Sequence, residues 1–122
     1  MTPQEVIIQD CERTGHRIGA VMHGVAKALD HGAKLFHDDK SVVVLEPIGK
    51  SQREYKVHLF TVDSPVGLVR SVRKIVAQIA AIPKLQRVYG NAKDPQVIKM
   101  LRTAGVAVQK PDKEGFTWMA EA

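Results

Sequence analysis

The chain has one cysteine, Cys11, so it has no internal disulfide and no thiolate zinc site, and it suits a reducing compartment. Aromatic residues make up only 5% of it, so its core has to be aliphatic. No apolar run approaches the length that crosses a bilayer and no signal peptide opens the chain, which points to the cytoplasm and away from a membrane. Four of its histidines, His16, His23, His31 and His37, form neither an i, i+4 pair nor an HExxH arrangement, so no metal site is expected. Low-complexity tracts and linkers are absent too, and residues 1–122 read as one domain.

What is present is an ordinary soluble composition, 44% apolar and 25% charged, with a formal charge of +5. The surplus admits three classes of anionic partner: a nucleotide-like cofactor, nucleic acid or an acidic protein face.

The organising stretch runs from Tyr55 to Leu85. Tyr55–Val62 is rich in β-branched and aromatic residues and reads as a strand. Ser64 and Pro65 then supply an N-cap hydroxyl and a proline at the first helical position. Leu68, Val69, Val72, Ile75, Val76 and Ile79 form one helical face, Pro83 stops it, and Leu85–Tyr89 reads as the next strand. Strand, helix, strand predicts a βαβ unit with parallel strands and a right-handed crossover. The turn between the first strand and the helix aims unpaired N–H groups at whatever lies there, which makes it the candidate site.

Upstream, Thr2-Pro3-Gln4-Glu5 has capping-box spacing and opens a helix that Gly15 ends. A second helix is predicted over His16–Asp30, with Ile18, Val21, Met22, Val25 and Leu29 as its stripe. Lys34–His37 and Ser41–Glu46 read as a hairpin whose second strand is apolar enough to be central, and with Tyr55–Val62 they predict an antiparallel meander. Downstream, Asp94-Pro95 repeats the cap-and-proline device for a helix carrying Val97, Ile98, Leu101 and Ala104, with Gly105 at its C-terminal cap. Val106–Gln109 and Phe116–Met119 flank a turn and predict a closing hairpin. The expected order is α, α, β, β, β, α, β, α, β, β: an α/β class with a mixed, mostly antiparallel sheet around a central βαβ unit.

That order resembles the GNAT (GCN5-related N-acetyltransferase) fold lacking its first strand. Asp94–Val106 is similar, without a gap, to the family helix that starts Asn-Pro-x-Ala and ends in Gly-Phe. Ser64–Val69 falls where the family places its pyrophosphate loop, Arg/Gln-x-x-Gly-x-Gly/Ala; Gly67 is kept, while Ser64 stands for the Arg or Gln and Val69 for the last small residue. Leu101 occupies the place of the tyrosine that often serves the family as general acid. The resemblance implies acetyl-CoA as cofactor, held by the backbone at Thr61, Val62 and Asp63 and by the turn Ser64, Val66, Gly67, Leu68, Val69 and Arg70. It implies an amine acceptor, small or on a protein lysine or N-terminus, and it gives His58 and Glu46 as candidate bases.

Three functions follow from these residues. The first is an acyl-CoA-binding N-acetyltransferase-like protein. The second is a non-catalytic binding or structural protein of the same fold, with a protein partner or as a homodimer; the resemblance extends to short proteins of tailed phages, and so to a host cytoplasm. The third, ranked behind them, is a basic nucleic-acid-binding domain using Arg70, Arg73, Lys74 and Arg87.

Overall fold

The computed structural model describes residues 1–122. The chain runs through α1 (Pro3–Thr14), α2 (Ile18–Asp30), β1 (Lys34–His37), β2 (Ser41–Pro47), β3 (Glu54–Thr61), α3 (Pro65–Ala80), β4 (Arg87–Gly90), α4 (Pro95–Thr103) and β5 (Trp118–Glu121). The five strands form one sheet in sequential order, antiparallel throughout except for the parallel pair β3–β4. No helix is long and apolar enough to cross a membrane.

Three helices start on the same local chemistry, a polar N-cap followed by proline. Thr2 forms a complete capping box: its hydroxyl accepts from Glu5 N–H at 3.2 Å, and Glu5 Oε1 accepts from Thr2 N–H at 3.1 Å. Ser64 and Asp94 cap α3 and α4 through Gly67 N–H and Gln96 N–H. α2 has no such device; Arg17 precedes it without a side-chain bond, and the helix begins at Ile18, two residues after the predicted start. Leu29, expected in its buried stripe, is 40% exposed and lies outside the α1–β2 cluster that Ile18, Val21, Met22 and Val25 join.

β2 lies at the centre of the packing. Val42 and Val44 turn toward α1 and α2, in the cluster of Val6, Ile7 and Cys11, while Val43 and Leu45 turn toward Tyr55 and Ile75 beneath α3. A strand buried on both faces has to be apolar at every position, which is why Val42–Leu45 is an unbroken run. Each such side chain contributes up to about 1.5–3 kcal/mol of burial. A third cluster, Val72, Leu101, Ala104, Trp118 and Ala120, seals α3 and α4 to the β4–β5 half of the same face.

The predicted closing hairpin is not formed. Val106–Gln109 pairs with β5 only through the single bridge Gln109–Met119. Val106 and Val108 turn their side chains into the α3–α4 cluster, and a tight turn (Val108 N–H to Val106 C=O, 3.0 Å) bends the segment away from the sheet. The strand after α3 also begins later than predicted, at Arg87 rather than Leu85, and ends at Gly90.

Candidate functional site

β3 has one fully paired edge and one partly open one. At its ends Glu54 C=O accepts from Ile48 N–H (2.9 Å) and Val62 N–H donates to Lys40 C=O (3.0 Å). Antiparallel pairing alternates, so the even-numbered residues bond toward β2, and Tyr55, Val57, Leu59 and Thr61 turn their backbone groups the other way. β4 meets that edge only over Glu54–Lys56, paired with Arg87–Tyr89. Beyond Tyr89 the chain departs: Gly90 pairs with Trp118, whose indole lies against it so closely that a Cβ there would collide with the ring. From Val57 to Thr61 the edge of β3 therefore borders an open seam. Thr61 N–H is taken by Asp10 Oδ1 from α1 at 3.3 Å, which leaves Leu59 as the residue with no strand opposite it on this side.

A cavity of about 650 Å³ extends through this seam to both faces of the sheet. Val57, Leu59, Leu101, Val106 and Trp118 line it on the α3–α4 side, and His16, His58 and Phe60 on the other. The lining is mostly aliphatic, the lining expected for a ligand whose reacting end must be kept from water.

His58 brings the polar chemistry to the cavity. Its Nε2 is hidden from solvent without a hydrogen-bond partner and lies 3.6 Å from Glu46 Oε2, just beyond bonding range. Burial, helped by the neighbouring Lys56 charge, holds the imidazole below its ordinary value, and Glu46 opposes that shift. The ring is thus neutral near pH 7 and able to accept a proton. Glu46 does not line the cavity and acts on it only through His58.

The turn predicted to hold a diphosphate lies outside the cavity lining, and its polar groups are largely engaged with one another. Ser64 N–H donates to Asp63 Oδ1 (2.8 Å), Gly67 N–H to Ser64 Oγ (3.2 Å) and Leu68 N–H to Ser64 C=O (2.8 Å). Pro65 has no N–H, so Val66, 69% exposed, carries the amide left over in the first turn. The Asp63 carboxylate folds against Gly67, where a Cβ would strike it. Thr61 Oγ1 is bonded to Ser41 Oγ (2.9 Å) and to Asp63 N–H (3.1 Å), and Val62 N–H to β2's turn. Leu68 and Val69 pack into the α3–α4 cluster, and Arg70 is exposed.

Two polar features escaped sequence reasoning. Asp10, 7% exposed, binds Arg13 Nη2 at 2.7 Å as well as Thr61 N–H, and so ties α1 to the end of β3. Its signal was legible: an acid in the apolar stripe of Val6, Ile7 and Cys11. The second feature is a network over β4, where the fully buried Tyr89 places its hydroxyl 2.9 Å from Glu54 Oε2 and 2.7 Å from Asp112 Oδ1. Its one proton serves one carboxylate at a time; Arg87 and Lys113 supply the balancing charge. Arg87, expected to be available to nucleic acid, is instead surrounded by Glu54, Asp112 and Glu121. Nothing in the sequence separation of 35 or 23 residues announces these contacts.

Sequence comparison finds no matching family model and no matching curated protein. Among solved structures, four chains match, and two of them show the fold. The GNAT domain of S. lividans PAT superposes with a TM-score of 0.50 at 16% identity, over 68% of this chain and 54% of that one. A chimera of the spermidine N-acetyltransferase SpeG from Vibrio cholerae and hSSAT, described as K23-Y30, gives 0.54 at 11% identity, over 86% of this chain and 74% of that one. At such identities the likeness is one of fold: the α/β architecture with its five-stranded mixed sheet and four helices is of the GNAT type. The chain spans about half the length of the PAT domain.

Proposed function

We propose that this chain is an acyl-CoA-binding, N-acetyltransferase-like protein that passes an acetyl group to an amine. The observation that carries this reading is the open seam beside β3, with an unpaired strand edge at Leu59 leading into an apolar cavity that His58 helps line. An extended arm bearing amide groups fits such an edge as one further strand would, bonding the backbone of Leu59.

Bound acetyl-CoA would supply the activated acyl group. The chain's own part is then threefold. The backbone of Leu59 orients the arm, the aliphatic lining of Val57, Leu101 and Val106 keeps bulk water out, and the His58 imidazole takes, directly or through one water, the proton that an ammonium must lose before its nitrogen can attack. Glu46 stabilises the imidazolium so formed. Leu101, in the cavity wall, is aliphatic and cannot protonate the departing sulfur, so that proton comes from water or from the charged His58. The turn from Thr61 to Arg70 would hold the diphosphate from outside the cavity, through Val66 N–H and the Arg70 guanidinium, against the charge of Asp63.

One observation favours the second reading, a GNAT-type protein that binds or assembles without catalysis. Asp63 and Ser64 already occupy the amides that a diphosphate needs. Calorimetry with acetyl-CoA and CoA separates the two. Micromolar affinity, with acetyl transfer to a polyamine or a lysine peptide that falls at least tenfold in His58→Gln, supports the enzyme. Affinity without transfer assigns a binding role, and no affinity removes the acyl-CoA reading.

A further inference from the structure

The surplus positive charge of this protein is concentrated on one side. Residues 64–105, which build α3, β4 and α4, contain eight lysines and arginines against one acid, Asp94; the rest of the chain has ten against twelve. Asp94 spends its carboxylate on Gln96 N–H at the start of α4. Arg70, Arg73 and Lys74 stand at i, i+3 and i+4 on the exposed side of α3, opposite the buried Val72 and Ile75. Lys99 and Arg102 stand at i and i+3 on the exposed side of α4, with Lys93 just before that helix. Arg73 Nη2 reaches Thr103 C=O at 3.1 Å, so the two rows of cations run side by side. Lys93, Lys99 and Arg102 surround a depression of about 500 Å³. None of these six residues takes part in any ion pair of the molecule.

We propose that this α3–α4 face binds nucleic acid through the phosphate backbone of a duplex. Like charges held side by side cost free energy unless an external anion answers them, and two rows about one helix spacing apart present charge over a surface rather than at a point. The composition selects the partner. Protein interfaces are built around aromatic and aliphatic anchors, whereas this face offers one large exposed apolar residue, Val66, at its edge. Neither α3 nor α4 contains an aromatic residue, so this face offers no platform for the stacked bases of a single strand. Rows of lysine and arginine fit the regularly spaced charges of a sugar-phosphate backbone, and contacts to that backbone carry no sequence information of their own. The face is separate from the cavity at β3: Arg70 alone is shared with the acyl-CoA reading.

The test is fluorescence anisotropy of a labelled 20-base-pair duplex titrated with the full chain across a range of salt. Binding at low salt is expected, with log K falling against log [salt] at a slope of about −4 to −5 for five or so phosphates neutralised. Lys99→Glu with Arg102→Glu should weaken it at least tenfold and flatten the slope by about 2, while acetyl-CoA calorimetry on the same variant stays unchanged. The matched reversal Lys34→Glu with Lys50→Glu, away from this face, should have little effect. Absence of duplex binding at low salt, equal loss in both double variants, or equal binding of polyglutamate at matched charge would each overturn the proposal, the last by assigning the face to an acidic protein.

Discussion

Replacing Asp63 by asparagine should tighten the binding of acetyl-CoA. The Asp63 carboxylate folds against Gly67 and accepts Ser64 N–H at 2.8 Å, so a diphosphate held at the first turn of α3 would sit within a few ångströms of it. Two unit charges about 4 Å apart repel by about 1 kcal/mol in water and about 4 kcal/mol at an effective dielectric of 20. Asp63 is half-buried, which places the penalty nearer the lower figure, about 1–2 kcal/mol, or roughly five- to thirty-fold in affinity. Asparagine keeps the side-chain oxygen that accepts from Ser64, so the helix start should be retained at a cost below about 1 kcal/mol. Calorimetry of both proteins at low and high salt measures the difference, which should shrink as salt screens it. If Asp63→Asn binds acetyl-CoA no better than the parent, no diphosphate sits at this turn, and its assignment as the cofactor loop fails.

Other substitutions probe the packing and the ionisation. Gly90→Ala drives a Cβ into the buried indole of Trp118 and should cost about 1–3 kcal/mol, read from a shifted urea midpoint; an unchanged midpoint would mean that the ring can yield. Asp10→Ala removes the acceptor of Thr61 N–H and the partner of Arg13, a loss of about 1–3 kcal/mol in the same assay, with faster hydrogen exchange at Thr61. His58 is held below its ordinary value near 6.5, so above that pH the ring is neutral in folded and unfolded chains alike. Below it the unfolded chain takes up a proton that the folded one resists, and stability should fall until the folded value is passed. Denaturation midpoints measured downward from neutral pH should therefore fall less in His58→Gln than in the parent, and parallel curves would contradict the burial of a neutral ring.

Local chemistry made much of this fold legible. A capping oxygen, then proline, then an apolar stripe marks α1, α3 and α4, because each signal acts within one helical turn. The unbroken Val42–Leu45 run announced a central strand, and the order around α3 announced the parallel pair. The misread places are those where distant residues decide. Val106 and Val108 alternate like a strand, yet the helix cluster claims their side chains and leaves one bridge at Gln109. Arg87 looks like a free cation until β3, β5 and the loop bearing Asp112 bring three carboxylates around it. At the candidate site, the meander places His58 and Glu46 on adjacent strands, with their side chains 3.6 Å apart. The orientation of Asp63 over Gly67 depends on side-chain torsions that no spacing rule reports.

The most direct test of the acyl-CoA reading is a titration of the isotopically labelled protein with acetyl-CoA, followed by amide chemical shifts. The seam beside β3 predicts that Val57, Leu59 and Val106 move first and saturate together, with the His58 ring signals following the same curve. A titration that leaves those residues in place, or that moves only the exposed face of α3 and α4, would contradict it.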